Sequence, residues 1–116
     1  MTKKLEQYRT LIEEDINLLG YEKLRYSIFA GEDINVQEYQ VRIEFVDGKY
    51  EVYMTADRAS IAGKHVFSDI FDAIDKFLNI MQGRILINRI SVKNEENPEY
   101  DCSLWGKEWL EQENKK

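Results

Sequence analysis

The stretch Glu38-Tyr39-Gln40-Val41-Arg42-Ile43-Glu44-Phe45-Val46-Asp47-Gly48-Lys49-Tyr50-Glu51-Val52-Tyr53-Met54-Thr55 decides the fold. Two alternating runs flank Asp47-Gly48, the dipeptide best suited to a two-residue type I′ turn, so the stretch predicts a β-hairpin. Such a turn also sets the register. Val46 faces Lys49, Phe45 pairs with Tyr50, Ile43 with Val52 and Val41 with Met54, so that the last three pairs gather on one apolar face. A slip by one residue would destroy this match. On the other face Arg42 lies across from Tyr53, within reach of a cation–π contact, and Glu44 lies across from Glu51, where like charges repel. That face is expected to be wet, or covered by something cationic.

Before the hairpin, apolar residues recur at Leu5, Tyr8, Leu11, Ile12, Ile16 and Leu19, the three- and four-residue spacing of one helix stripe. Thr2 is placed to cap this helix and Gly20 to end it. From Tyr21 to Phe29 the period changes to two, with Leu24, Tyr26 and Ile28 on one face, which predicts a half-buried strand. Gly31-Glu32-Asp33-Ile34-Asn35 then reads as a polar connection.

After the hairpin, Ala56 to Lys64 is small and polar and reads as a loop, with a short fourth strand at His65-Val66-Phe67. Ser68 is the expected cap of a second helix whose stripe is Ile70, Phe71, Ile74, Phe77, Leu78 and Met81. Gly83 is a candidate stop, but Ile85 continues the stripe, so the helix is expected to run to about Val92. Asn94 to Asp101 holds Pro98 and four acids, the pattern of an irregular connection. Leu104, Trp105, Trp109 and Leu110 provide a tail able to dock on the body. The order of elements predicts an α+β fold made of one domain over residues 1–116. A helix, a three- to four-stranded antiparallel meander and a second helix on the same apolar sheet face would leave the other sheet face open.

Composition narrows the function. The chain has 116 residues, a common single-domain size, and 22 acids against 16 bases give a net charge of −6. That sign repels phosphate backbones, which argues against nucleic acid. Met1-Thr2-Lys3-Lys4 leads straight to Glu6 and no long apolar run follows, so neither an export signal nor a membrane span is expected. The lone Cys102 has no partner for an internal disulfide, which fits a reducing cytoplasm. A single histidine, His65, rules out a multi-histidine metal site. The row Asp69, Asp72 and Asp75 reads as a solvated helix face rather than a cation site, and no metal or cofactor is expected. No phosphate-binding glycine loop or nucleophile elbow occurs, and a His65–Cys102 dyad has no local motif behind it. The α-β-β-β-α order is shared with double-stranded RNA-binding domains, but here the second helix opens on aspartates instead of lysines. A binding protein, not an enzyme, is expected. Tyr8, Tyr39 and Tyr50 fall on apolar faces, whereas Tyr53 points the other way.

Lys49-Tyr50-Glu51-Val52-Tyr53-Met54-Thr55, followed by Asp57-Arg58-Ala59-Ser60, Gly63-Lys64, Phe67 and the Phe71-to-Phe77 helix, resembles a family of bacterial immunity proteins from polymorphic toxin systems. Leu19-Gly20-Tyr21-Glu22 and the Tyr100-to-Trp105 segment fit the same resemblance, which covers nearly the whole chain. It implies a small, cytoplasmic, non-catalytic domain that neutralises a cognate toxin by tight binding. The negative charge is compatible with a basic toxin such as a nuclease, and a monomer is expected. The sheet-face argument makes Arg42, Glu44, Glu51, Tyr53, Asp57 and Arg58 the candidate partner-binding residues. The alternative is a stand-alone adaptor or regulatory domain that binds another protein, and a third reading, small-molecule binding or enzymatic activity, would need a deep pocket near His65 or Cys102.

Overall fold

The computed structural model describes residues 2–115. Helix α1 spans Lys3–Leu19, and at its start the Leu5 N–H donates to Thr2 Oγ1 at 3.2 Å. Gly20 ends it in the left-handed region, at φ 76°, where a Cβ would be strained. Strands β1 (Tyr26–Ile28), β2 (Val41–Val46), β3 (Lys49–Thr55) and β4 (Ile61–Phe67) form one sheet in the order β1-β2-β3-β4. A short 3-10 turn, η1 (Asp57–Ala59), joins β3 to β4, and helix α2 (Ile70–Lys93) and helix α3 (Lys107–Asn114) follow.

The hairpin forms in the expected register, from Val46 opposite Lys49 to Val41 opposite Met54. Asp47 and Gly48 both take positive φ, 51° and 77°, as a type I′ turn requires. Val41, Ile43 and Val52 are buried, Tyr50 and Met54 half-buried, and Phe45 remains exposed near the turn. The meander, however, is not wholly antiparallel: β1 runs parallel to β2. Segment 29–40 explains this, because a parallel pair needs a crossover of about a dozen residues and the segment has that length. It is not a hairpin turn but a strap that crosses the sheet and returns the chain to the end at which β1 began. Only Tyr26–Ile28 of the expected Tyr21–Phe29 strand joins the ladder.

The strand near His65 starts earlier than expected, at Ile61, and replaces the second part of the expected loop, residues 61–64. Pairing with β3 outweighs the weak strand preference of Gly63 and Lys64, and a register shift between Val52 and Met54 absorbs the irregularity. Helix α2 runs to Lys93, straight through Gly83, as the continued stripe predicts. Its cap is Asp69, whose Oδ1 accepts the Phe71 N–H at 2.7 Å, and not Ser68, whose hydroxyl is taken by Lys49 Nζ at 2.7 Å. The connection after α2 is irregular but is tied down at Glu99, whose carboxylate accepts from Asn88 at 2.8 Å and Arg84 at 3.0 Å. The docked tail contains a helix, α3, yet no α3 residue is fully buried, and the docking side chain is Trp105 just before it.

The core lies between one sheet face and the helices. Ile12 and Ile16 of α1, Ala73, Ile74, Phe77, Met81 and Ile85 of α2, and Trp105 pack on Ile28, Val41, Ile43 and Val52. Alternation along the strands therefore aims Arg42, Glu44, Glu51 and Tyr53 to the opposite face.

Candidate functional site

The opposite face is not open. The strap 29–40 lies over it, and Arg42, Glu44 and Tyr53 are buried, at 0%, 2% and 1% exposure. The expectation of a wet polar face is corrected here, for a reason visible in the hydrogen bonds. Arg42 donates through Nη2 to the Gly31 and Ile34 carbonyls, at 2.6 and 3.0 Å, and through Nη1 to Gln40 Oε1 at 2.6 Å. Glu44 pairs with Arg42 at 3.2 Å and accepts the Gly31 N–H at 2.9 Å. Thr55 Oγ1 accepts the Gln40 N–H at 2.9 Å and donates to the Gln37 carbonyl. A strap carries backbone polar groups that need partners once buried, and the polar residues of the hairpin supply them.

The repulsion expected between Glu44 and Glu51 is relieved by two cations of the chain itself. Arg42 takes Glu44, while Lys64 of β4 reaches Glu51 at 3.1 Å and Glu32 of the strap at 3.0 Å. Lys64, not Arg42, is the cation on the Tyr53 ring, with its Nζ 5.1 Å from the centroid. Glu32 and Glu51 also meet each other. The nearness of Glu32, helped by burial, raises the Glu51 carboxyl above its ordinary value, and the interactions with Glu51 and Lys64 lower that of Glu32. A second carboxyl pair lies at η1. Glu38 Oε2 accepts the Arg58 N–H at 2.6 Å, which holds Glu38 low, and contact with Glu38 raises Asp57.

A carboxyl whose pKa is raised on folding favours the folded state most when protonated, and that advantage is lost as pH rises through the folded value. Glu51→Gln, which removes one of the two carboxylates gathered at Lys64, is therefore expected to stabilise the protein at pH 8 by about 0.5 kcal/mol, the size of a surface pair. At pH 4 the difference should vanish. Thermal melts at both pH values check this, and an equal gain at pH 4 would contradict the upward shift of Glu51.

Asp57 and Arg58 are exposed, on a turn in which Arg58 and Ala59 both hold positive φ, 61° and 56°. Non-glycine residues in that region are strained, and such strain gathers where function requires a fixed geometry. Next to this turn is a depression of about 150 Å³, lined by Glu32, Asp33, Val36, Arg42, Tyr53, Thr55, Ala59 and Ile61. It brings the predicted Arg42 and Tyr53 together as floor, with Asp57 and Arg58 beside the wall and Glu51 linked through Lys64. Glu32, Asp33, Val36 and Ile61 were missed by reasoning from the hairpin. Their signal was the pair Ile34 and Val36, apolar residues within an otherwise polar connection.

Among the described residues no group of His, Cys, Asp and Glu is arranged to hold a metal ion, and no helix is long and apolar enough to cross a membrane. His65 is exposed on β4, apart from the depressions, while Cys102 is half-buried beside Trp105 and lines an open, mainly apolar depression of about 640 Å³ with Val92, Pro98 and Leu110; burial pushes its thiol up, away from the reactive thiolate.

The fold and this face define a small α+β domain with a four-stranded mixed sheet, helices on one side and a chain-covered polar network on the other. The family model described as Immunity protein 59 matches residues 5–106, and the chain belongs to that family. Neither a curated protein nor a solved structure matches it. The match covers every strand and both long helices almost entirely, and ends just after Trp105.

Proposed function

We propose that this protein binds and neutralises a cognate bacterial toxin by stoichiometric protein–protein inhibition, in the cytoplasm of the producing cell and without catalysis of its own. Membership of the Immunity protein 59 family carries the reading, since an immunity protein implies a toxin to be resisted. The surface around η1 supports it as the place of contact. Asp57 and Arg58 would touch the partner, Glu51 would do so through the Lys64 cluster, and Arg42, Glu44 and Tyr53 would hold the surface from below. A monomer would suffice, because the site is built from one chain.

Co-expression tests the reading directly. Cells producing the toxin encoded beside this gene should survive when this protein is present, and the two purified chains should elute together in equal amounts. No complex and no rescue would refute it.

A further inference from the structure

The depression beside η1 also carries information about its occupant. Its walls are apolar and open to solvent, with Val36 41% and Ile61 56% exposed, and a monomer gains nothing by presenting them. Around them stand more carboxylates than cations: Glu32, Asp33, Glu38, Glu51 and Asp57, against Arg25, Arg58 and Lys64, while Arg42 beneath is matched by Glu44. On this rim one lysine serves two carboxylates, Lys64 reaching Glu32 at 3.0 Å and Glu51 at 3.1 Å, and Asp57 lies near enough to Glu38 to act on its carboxyl. An arrangement of this kind is relieved by a positive charge brought from outside. The floor adds a second observation of a different kind. Arg42 is fully buried and lines the depression, and its Nε–H has no acceptor among the described residues. A buried donor without a partner is unfavourable, so the floor under these walls is held at a cost to the free protein.

Resting on the proposed function, we infer that the depression receives a protruding loop of the toxin that carries lysine or arginine. The aliphatic stems of those side chains lie along Val36, Ala59 and Ile61, and their charged ends meet Glu32, Asp33 and Asp57 at the rim. A nearly flat acidic surface would attract a basic partner without orienting it. A depression with apolar walls and a charged rim does both, by excluding water around the charge pairs. Of the other apolar grooves, the one of about 240 Å³ between Leu86, Ile90 and Trp109 carries Arg89 and Lys93 against Glu113 and is less suited to the same loop.

The test measures binding of the adjacent-gene toxin domain to the full-length protein by calorimetry at low salt. Asp33→Lys combined with Asp57→Lys should weaken binding about 30-fold, whereas Glu14→Lys combined with Asp15→Lys, an equal charge change on the exposed side of α1, should alter it by less than about threefold. Circular dichroism establishes that each variant is folded. Should the reversal not fold, Asp33→Asn with Asp57→Asn replaces it, with an expected loss of about fivefold. Equal losses for the rim and α1 pairs, or none for the rim pair, would overturn the inference while leaving the neutralising function intact. Wild-type protein that binds no toxin at all would overturn both.

Discussion

Arg42→Met is expected to destabilise the protein by about 3–5 kcal/mol, because it leaves Glu44 buried without its cation. The same change strips a donor from the Gly31 and Ile34 carbonyls and from Gln40, so that the strap loses its main attachment to the sheet. Against a total stability of about 5–15 kcal/mol for a domain, such a loss brings the fold near its limit. The melting temperature should fall by about 10–20 °C. Arg42→Lys should recover little, since one ammonium cannot reproduce a planar fork that bonds in four directions. Adding Glu44→Leu to Arg42→Met should restore part of the stability, because the uncompensated buried charge is then gone and a well-packed apolar pair can replace an ion pair at small cost. Urea unfolding of the two single variants and the double variant closes the cycle. Additive losses would mean that Arg42 and Glu44 do not act together, and a loss below about 1 kcal/mol for Arg42→Met would mean that the strap is held by something else.

The same residues show what could be read from the chain and what could not. Alternation along Val41–Val46 and Lys49–Thr55, with a two-residue turn between them, determines which side chains share a face, and the register followed residue by residue. Alternation does not say whether a polar face meets water or another part of the chain. Arg42, Glu44, Tyr53 and Thr55 look like a wet surface in sequence because their partners are backbone groups of segment 29–40, and backbone groups leave no signature in residue type. For the same reason the parallel pairing of β1 escaped notice, since a polar connection of that length serves equally as a loose turn or as a crossover. Of the candidate site, Asp57 and Arg58 were legible because a run of small and polar residues marks a turn. Glu32 and Asp33 were not, because they reach the site only through the crossover. Lys64 lay within a quoted motif, but its role as the shared partner of Glu32 and Glu51 depends on β4 being a strand, which Gly63-Lys64 does not suggest.

Trp105→Ala is expected to cost about 3–5 kcal/mol, as for other large aromatic side chains removed from a core. Trp105 is 1% exposed, its indole N–H donates to the Tyr100 carbonyl at 2.8 Å, and its ring meets that of Tyr100 edge-on, with centroids 5.1 Å apart. Tyr100 in turn accepts the Arg25 N–H at 3.0 Å and lies under the Arg25 guanidinium, 4.2 Å from the ring centroid. Loss of the indole thus loosens the segment that leads into β1 as well as emptying part of the core. Removing everything after Gly106 makes the informative contrast. It deletes α3, of which Trp109 is held by cation–π contacts with Arg89 and Lys93 and no residue is fully buried, so the expected loss is only about 1–2 kcal/mol. The shortened protein should still protect cells from the toxin, while Trp105→Ala should fail to do so at temperatures where it unfolds. If instead the truncation unfolds the protein as completely as Trp105→Ala, α3 must belong to the folding unit despite lying beyond the residues that the family shares.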